Sequence, residues 1–599
     1  MTQASPAAAT APDPDRRLAD PIQMEVFSNR LLAIAEDIGQ ILIRSSFSSN
    51  IKERRDCSTA LFDAKGRLVT QADHIPIHLG AMIGAVEAIL ARYPFSEIAE
   101  GDAFIANDPY LAGGSHLPDI SIITPVFHEG EIRFFAGNIA HHADVGGKTP
   151  GSTSGTSRSI FEEGIRLPVI RIARGGAIDE DLLTLIAVNT RDPEERLLDL
   201  RTQIGCNMRG GEMLVALVDR MGWAAVEQAI EDILTYTARR LANRIGALAD
   251  GRYRFERAMD DDGFPGEPVP IVCTAIVEGQ SLTLDFEGSG PQARGAINLP
   301  DSALKASVYY CVKAVLDPGL MPNQGSIDPI TIRASEGSIV NPRPPAAVAG
   351  RAVTSNRLCG AVFGALYQAL PPEEAMASCN DSTSAVSISG WHPARGATYV
   401  YPESMGGGAG AFADRDGMDA VHVHTVNSTN LPAEALELEY PLMLEEYALV
   451  PDSGGAGRFR GGLGMARQIR IMADGTTFSA RSDAHVVPAP GLFGGRPSSV
   501  TRIRRNPGTD AEEELHSKAS GLVLAAGEVI RVETLGGGGY GDPGERDPAA
   551  LARDLAEGKV TRATAERDYG ADMVERALRL RAPSRGAGRA GLHSIQEAR

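Results

Sequence analysis

The sequence predicts an α+β fold, in which an N-terminal α+β region is followed by a β-rich, glycine-rich region with a helical C-terminal end. Helical periods and a hairpin pattern in the N-terminal part support the first region. Composition supports the second, because glycine accounts for 65 of the 599 residues, against about 7% in average proteins. Such an excess favours tight turns and close backbone approaches over a helical bundle.

Helical spacing of apolar residues is clearest near the N-terminus. One apolar face runs over Phe27–Ile41 and a second over Leu79–Leu90, each with the recurrence typical of an amphipathic helix. A longer helical stretch covers about residues 179–248. The break at Asp250-Gly251 that follows it predicts a boundary between two regions.

This boundary and later changes in pattern divide the chain into five parts. Residues 20–250 form the α+β region, 251–465 a β-rich middle region, and 466–580 a C-terminal β region with a helical pair. Residues 1–19 and 581–599 lack periodicity and are predicted to be disordered tails. The helical pair is predicted at Pro548–Leu555 and Arg562–Tyr569.

Charge and composition exclude several classes of protein. The net charge of −19 disfavours a nucleic-acid partner, since an acidic chain is repelled by phosphates. The six cysteines form no CxxC motif, and in a chain this long they predict reduced thiols rather than a disulfide framework. No secretory signal and no apolar run of membrane-spanning length are present. We therefore expect a cytoplasmic protein without a membrane partner.

A β-hairpin is predicted in the N-terminal region. The strand-like runs Ser121–Phe127 and Ile132–Ala140 flank a turn at residues 129–130, as hairpin signals do. A turn centred there pairs Asp119 with Ala140. Antiparallel neighbours lie about 4.5–5.5 Å apart, so residues just beyond the strands meet at the open end of the hairpin.

The open end of this hairpin brings together His116, Asp119 and His141. Two imidazoles and a carboxylate suit Zn²⁺, Mn²⁺ or Fe²⁺, with positions left open for water or substrate. Asp144 or His142 would be a fourth ligand or would form a hydrogen bond to one of the ligands and orient it. The alternative is that the histidines cap strand ends and bond to backbone carbonyls. The joint placement of the three residues by one hairpin favours the metal.

Each of three further motifs has two possible interpretations. The run Glu53–Ser58 forms either local ion pairs or a strand start at which Asp56 points into the metal pocket. The glycine-rich run Ala456–Gly464 either binds an anion through its arginines or packs tightly. Strand alternation places His422 and His424 on one face, as a second metal site or, preferably, as a polar wall or subunit contact.

Taken together, the motifs of this chain resemble the hydantoinase B family, the B-type subunits of ATP-dependent N-methylhydantoinases. The same module is similar to the C-terminal half of 5-oxoprolinase and to subunits of caprolactamase and of acetone and acetophenone carboxylases. The matching segments keep the order of the family over about residues 20–575: Glu53–Ser58, Asn107–Tyr110, Gly114–Asp119, His141–Asp144, Glu163–Pro168, Asp285–Gly288, Glu336–Pro342, Asp452–Gly464 and Gly536–Pro543.

The resemblance implies a hetero-oligomeric, metal-dependent hydrolase of cyclic amides. It places a divalent metal on His116, Asp119 and His141, with Asp56 as a further ligand. From the donor types we expect Zn or Mn, and we predict His116, Asp119, His141 and Asp144 as the catalytic residues. ATP and Mg²⁺ would be handled by a separate hydantoinase A-type subunit, in agreement with the lack of a convincing ATP motif in this chain. That subunit would phosphorylate the substrate, and this chain would hydrolyse the phosphorylated intermediate.

Two other functions remain open at this stage. In the carboxylase branch, the same site would join carbon dioxide to an activated ketone. A non-catalytic scaffold that docks an active A-type subunit would have degenerate metal positions, whereas all three candidate ligands are present here.

Overall fold

The computed structural model describes residues 20–152, 154–382 and 384–580, and the predicted tails lie outside these ranges. Its α-helices are α1 (Pro21–Ser45), α2 (Ser49–Lys52), α3 (His78–Arg92), α4 (Glu180–Ala187), α5 (Pro193–Met221), α6 (Trp223–Ile245), α7 (Asp301–Leu316), α8 (Arg351–Leu366), α9 (Ala433–Glu439), α10 (Pro548–Ala556), α11 (Arg562–Tyr569) and α12 (Ala571–Arg579).

The strands of the described residues form four sheets. They are β1 (Cys57–Asp63), β2 (Leu68–Gln71), β3 (Ala103–Ala106), β4 (Asp119–His128), β5 (Glu131–His141), β6 (Ile170–Arg174), β7 (Ala177–Ile178), β8 (Gly251–Met259), β9 (Val269–Glu278), β10 (Ser281–Asp285), β11 (Ile330–Arg333), β12 (Ser384–His392), β13 (Ala397–Met405), β14 (Leu442–Leu449), β15 (Met465–Ile471), β16 (Thr476–Arg481), β17 (Arg502–Arg505), β18 (Glu513–Glu514), β19 (Leu522–Leu524) and β20 (Val529–Glu533). This mixture of helices and several sheets confirms the α+β prediction at that level.

The N-terminal region is built around a seven-stranded sheet with the order β2-β1-β5-β4-β3-β6-β7. Helices α1 and α5 pack on one face and α3 on the other. Alternation along each strand explains the two layers: Leu61 and Phe134 join the core beneath α1 and α5, whereas Phe62 and Phe135 join the core beneath α3. The sheet is therefore buried on both faces, and its central strands are held rigidly.

The predicted hairpin is confirmed as the pair β4 and β5, but its predicted register is wrong by one residue. Glu129 and Gly130 form the turn with φ of 53° and 78°, as a tight hairpin turn requires. An irregularity between Val126 and Phe127 then shifts the pairing, so that Asp119 lies opposite His141 and not opposite Ala140. A bulge inserts one extra residue into a strand, and here it aligns two of the predicted ligands directly.

The middle region combines the sheet β11-β10-β9-β8 with the helices α7 and α8. Helix α7 matches the helical pattern of its sequence, whereas α8 has no counterpart among the predicted elements. Nearly all of its residues are buried, so it lacks the polar stripe that reveals an amphipathic helix. The α8 helix begins at Arg351 and brings that side chain to the candidate site.

The C-terminal region contains two sheets and a glycine-rich core, in which backbone packs on backbone. Gly537 donates to the Gly462 carbonyl at 2.9 Å, and a Cβ on Gly537 would lie 1.9 Å from the carbonyl oxygen of Ala409. Only glycine fits such an approach. Arg460 is ion-paired with Asp419 at 3.3 Å, so tight packing accounts for the glycines and for Arg460 in the run Ala456–Gly464, whereas the side chain of Arg458 is exposed.

The end of the described chain has three helices, so the predicted pair is incomplete. Helices α10 and α11 lie where they were predicted, and α12 follows them. Met573, Val574 and Ala577 of α12 are buried in one small cluster with residues of α10 and α11. This short apolar stripe explains the extra helix.

Candidate metal centre

Three predicted ligands meet at the open end of the β4–β5 hairpin. Asp119 begins β4 and lies opposite His141, the last residue of β5. His116 precedes β4 in the adjoining loop, with its Nε2 3.0 Å from Asp119 Oδ1, and its ring centroid is 5.1 Å from that of His141. One potential ligand atom from each residue lies within 4.8 Å of the others. The hairpin therefore brings the three side chains close together, as the sequence predicted.

The polar atoms of this His–Asp–His cluster (His116, Asp119 and His141) are buried and incompletely satisfied. His116 Nε2 and Asp119 Oδ1 lie 3.0 Å apart, and neither atom has a hydrogen-bond partner beyond this contact. Leaving such atoms unpaired costs about 1–3 kcal/mol each. A divalent cation would satisfy both atoms, and the nitrogen and oxygen donors suit a first-row metal.

Neighbouring residues hold each ligand in place. Arg351 Nη2 donates to Asp119 Oδ2 at 2.5 Å, and the Ser115 hydroxyl donates to the same oxygen. His116 Nδ1 lies 3.3 Å from the Ala349 carbonyl, and Asn50 Nδ2 lies 2.9 Å from His141 Nδ1. These contacts occupy one side of each side chain and leave Asp119 Oδ1 and His116 Nε2 available to a cation. Outer partners of this kind normally fix the orientation of metal ligands.

Burial and charge set the protonation of the cluster. Burial, reinforced by Arg351, lowers the pKa of His116 to about 4, and burial lowers the pKa of His141 well below its usual value. Burial alone would raise the pKa of Asp119, but His116, Arg351 and His78 outweigh it and hold that pKa well below its usual value. Near neutral pH the cluster therefore presents two neutral imidazoles and one carboxylate, the forms that bind metals.

Asp56 lies beside the cluster but is not one of its three members. Its carbonyl accepts a hydrogen bond from the His141 backbone at 3.0 Å, and its side chain lines the same small cavity as His141. Burial raises the pKa of its carboxyl. The structure thus places Asp56 at the edge of the site, and its role as a ligand stays a prediction.

His78, which the sequence analysis did not select, stands between the two acids. Its Nε2 lies 3.6 Å from Asp119 Oδ1 and 3.7 Å from Asp56 Oδ1, and its Nδ1 lies 3.1 Å from the Ser58 hydroxyl. His78 begins α3, far from the hairpin in sequence. Only the packing of α3 against the sheet brings it here, and no local spacing could have revealed it.

Asp144 and His142 lie near the hairpin end without joining the cluster. Asp144 accepts from the backbone amides of Gly146 and Gly151, both at 2.9 Å, and from Arg191. Its carboxylate therefore shapes the following loop. His142 has Gln203 Oε1 2.9 Å from its Nε2 and Arg196 2.8 Å from its Nδ1, so neither ring nitrogen is free for a metal.

The predicted strand carrying His422 and His424 is absent, so the prediction that they share one strand face is wrong. The segment 421–427 contains no regular strand, and His424 has a φ of 57°, in the left-handed region that breaks alternation. His424 Nε2 lies 3.2 Å from Asp381 Oδ1. Among the described residues, only the His–Asp–His cluster has the geometry of a metal site.

Three of the cavities border His78, His141 or His424. A small one of about 50 Å³ is lined by Asp56, His78, His141, Arg351 and Arg481. Two larger ones, of about 590 and 610 Å³, share a wall with each other that includes Phe363 and His424. The size of the larger cavities is within the range of about 300–1,000 Å³ that is typical for small-molecule sites.

Comparison with known sequences gives one consistent result. The sequence model of the Hydantoinase B/oxoprolinase family matches residues 20–543. An uncharacterized protein of Methanocaldococcus jannaschii is 34% identical, over 93% of this chain and 97% of its own. A Pseudomonas sp. protein named as a putative D-/L-hydantoinase subunit of the B type is 30% identical, over 94% and 96%. The 5-oxoprolinase 1 of Arabidopsis thaliana is 32% identical over 88% of this chain, which spans only 42% of that protein.

Solved structures show the same fold. The ATP-dependent caprolactamase from Pseudomonas jessenii superposes with a TM-score of 0.85 at 28% identity, covering 92% of this chain and 96% of that one. An acetone carboxylase superposes with a TM-score of 0.83 at 21% identity, covering 94% and 82%; at that identity the likeness concerns the fold alone. No helix among the described residues is long and apolar enough to cross a membrane.

Proposed function

Because the chain belongs to the Hydantoinase B/oxoprolinase family, we propose that it is the metal-dependent hydrolytic subunit of an ATP-dependent cyclic-amide hydrolase. The family and its named relatives support an ATP-dependent subunit of the cyclic-amide hydrolase or carboxylase type. The substrate would be a hydantoin, 5-oxoproline or a lactam. A partner A-type subunit would bind ATP and Mg²⁺ and phosphorylate the substrate, and this chain would open the ring of the phosphorylated species.

The observation that carries this proposal is the unsatisfied cluster at the hairpin end. His116 Nε2 and Asp119 Oδ1 are buried with no hydrogen-bond partner beyond their contact with each other, and His141 completes a compact set of nitrogen and oxygen donors. We assign a divalent transition metal, Zn or Mn, to these three residues, with Asp56 as a further ligand from the cavity wall. When bound, the cation would act as a Lewis acid toward the carbon–oxygen bond and would activate water.

The protein residues around the cluster supply orientation and charge. Arg351 fixes Asp119 through Oδ2 and thereby keeps Oδ1 turned toward the histidines. Arg351 and Arg481 both line the small cavity, where their positive charges would stabilise the phosphate and the developing oxyanion of the substrate. His78 faces both acids and would hold Asp56 in position beside Asp119.

Elemental analysis of the purified full chain tests this assignment. We expect about one transition-metal ion per chain in the unmodified protein, and loss of that ion in His116→Ala and in His141→Ala. The matched control is His128→Ala, which removes a histidine at the hairpin turn that pairs with Asp219 at 3.0 Å, outside the site. A metal-free unmodified protein, or normal turnover of the two cluster variants, would contradict the proposal.

Activity assays distinguish the proposed hydrolase from the carboxylase alternative. The chain would be combined with an A-type subunit and assayed for ATP-dependent opening of hydantoin, 5-oxoproline and caprolactam. A parallel assay would follow bicarbonate-dependent consumption of a ketone. Ring opening supports the proposal, whereas ketone carboxylation without ring opening assigns the chain to the carboxylase branch.

A further inference from the structure

The buried carboxylic acid Glu163 is not a member of the His–Asp–His cluster and has no part in the proposed function. It begins Glu163–Pro168, one of the segments that resemble the hydantoinase B family, and it is only 2% exposed. Its Oε1 accepts hydrogen bonds from the backbone amides of Val348 and Ala349, both at 2.9 Å, whereas its Oε2 is buried with no hydrogen-bond partner. Since a buried amide without a partner is costly, this acid fixes the Val348–Ala349 peptide.

The segment that contains this peptide depends on outside contacts for its shape. Residues 342–350 form neither helix nor strand, so their buried polar groups must pair with other parts of the chain. Ile160 donates to the Pro345 carbonyl at 2.9 Å, and Gly350 donates to the Ala296 carbonyl at 2.6 Å. Between these two contacts, Glu163 supplies the acceptor for two consecutive amides.

The fixed segment contacts two of the three candidate metal ligands. The Ala349 carbonyl lies 3.3 Å from His116 Nδ1. Two residues further along, Arg351 donates to Asp119 Oδ2 at 2.5 Å. A shift of the segment would therefore disturb both ligands, and the ring of His116 would be affected through a single carbonyl oxygen.

The contact with the Ala349 carbonyl affects which nitrogen of His116 carries the proton. A carbonyl oxygen only accepts hydrogen bonds, so this contact favours the tautomer with the proton on Nδ1. Nε2 then carries the lone pair that a metal requires. Without the carbonyl, a proton on Nε2 would be favoured instead, because Asp119 Oδ1 lies 3.0 Å from that atom and would accept a hydrogen bond from it.

We propose that Glu163 is a positioning residue for His116: by holding the Val348–Ala349 peptide, it keeps the Ala349 carbonyl on Nδ1 and leaves Nε2 to a cation. This inference rests on the proposed function for the presence of the cation, and it adds a residue that acts on the ligand through one peptide. The role requires an acceptor oxygen and not a negative charge. In agreement with this, burial raises the pKa of Glu163 to about 8, so the carboxyl is largely neutral near pH 7.

The affinity of the full chain for Co²⁺ tests this role. Metal would be removed, and Co²⁺ would be titrated back in competition with a chromophoric chelator. We expect Glu163→Ala to bind Co²⁺ about tenfold more weakly, and Glu163→Gln, which keeps the acceptor oxygen, to stay within about twofold of the unmodified chain. Unchanged affinity in Glu163→Ala would overturn the proposal. An equal loss in Glu163→Gln would also overturn it, because the charge beside Arg481 would then be the important property.

A matched control separates positioning from a general loss of stability. Asp260 is another buried acid that binds backbone amides, those of His485 at 2.6 Å and Val487 at 2.9 Å. Asp260→Ala should lower the free energy of unfolding, as Glu163→Ala does, by leaving buried amides unpaired, but it should not change the affinity for Co²⁺. An equal loss of affinity in Asp260→Ala would contradict the proposal. If Glu163→Ala does not fold, Glu163→Asp, whose carboxyl is one methylene group shorter, takes its place with the same expected loss.

Proton NMR of the Co²⁺-loaded chain reports on the contact between His116 and the carbonyl. The Nδ1 proton of an imidazole bound to Co²⁺ gives a strongly shifted resonance, which exchanges slowly with heavy water when the proton is hydrogen-bonded. We expect such an N–H resonance to exchange faster in Glu163→Ala than in the unmodified chain and in Glu163→Gln, and equal exchange in all three would contradict the proposal. An unmodified chain that binds no Co²⁺ would contradict the proposed function as well, whereas Co²⁺ affinity that does not depend on residue 163 would contradict this inference alone.

Discussion

The two buried histidine–aspartate groups of this chain differ in the residues that surround each aspartate. In the His–Asp–His cluster, Asp119 uses one oxygen for Arg351, and its other oxygen lies 3.0 Å from His116 Nε2 with His141 close by. In the second group, Asp381 has both oxygens occupied, by Arg257 and His424. The same residue types therefore form a compact set of three candidate metal ligands in one place and an internal ion-paired group in the other. The difference comes from the residues that contact each carboxylate, which the sequence does not display.

The largest effect is expected when the unsatisfied carboxylate of the cluster is removed. If the proposed metal is catalytic, Asp119→Ala should lose it and lower ATP-dependent turnover by at least about a thousandfold, since such a metal would lower the barrier by several kcal/mol and each tenfold in rate corresponds to about 1.4 kcal/mol. Metal content and single-turnover rates with the A-type subunit would be measured together. Turnover within tenfold of the unmodified protein would show that the cluster is not catalytic.

Substitution of Asp381 in the second group should lower the free energy of unfolding and leave the metal content unchanged. Asp381→Asn leaves Arg257, which is buried, without its counter-charge, and the expected loss in the free energy of unfolding is about 3–5 kcal/mol. Urea denaturation would measure it, with Asp219→Asn at the exposed His128 pair as the control. If Asp381→Asn lost metal but kept its stability, the contrast between the two groups would be wrong.

The outer contacts of the cluster should have an intermediate effect. His78→Gln removes the ring that faces Asp56 and Asp119, and we expect metal affinity to fall about 10–100-fold, as it does when other residues that orient metal ligands are lost. Competition with a chromophoric chelator would give the affinity. An unchanged metal affinity would show that His78 contributes only to packing at the start of α3.

A smaller effect is expected from pH. The pKa of His116 is about 4 in the folded chain against an ordinary value of 6.5, so the unfolded chain binds more protons between these values. The free energy of unfolding of the metal-free protein should therefore fall as pH decreases from about 6.5 to about 4. Urea midpoints at about pH 7 and about pH 4.5 would test this, and His116→Gln should show a shallower decrease. A midpoint that rises on acidification would contradict the burial of neutral histidines.

The sequence predicted the hairpin and the cluster but not the details that make the site work. Strand alternation and a turn at Glu129 and Gly130 were sufficient to bring His116, Asp119 and His141 together. The bulge after Val126 was not visible, because nothing in the local composition distinguishes it from a regular strand. It is this bulge that places Asp119 opposite His141.

Residues that reach the site from elements distant in sequence could not be predicted from local sequence patterns. Arg351 stands at the start of a helix buried on nearly all sides, which has no amphipathic period to read. His78 reaches the site through the packing of α3 on the sheet. Asp144 was predicted to be catalytic from its place near His141; its carboxylate holds the following loop, and its catalytic role stays a prediction. Proximity in sequence could not show where its side chain points.

The most direct test of the metal assignment is the anomalous scattering of a crystal of the full chain, recorded at the absorption edges of zinc and manganese. We predict one anomalous peak per chain, within coordination distance of His116, Asp119 and His141, with Asp56 nearest among the remaining acids. A structure from protein purified without chelators that shows no peak there, or a peak at His424 and Asp381 instead, would contradict it.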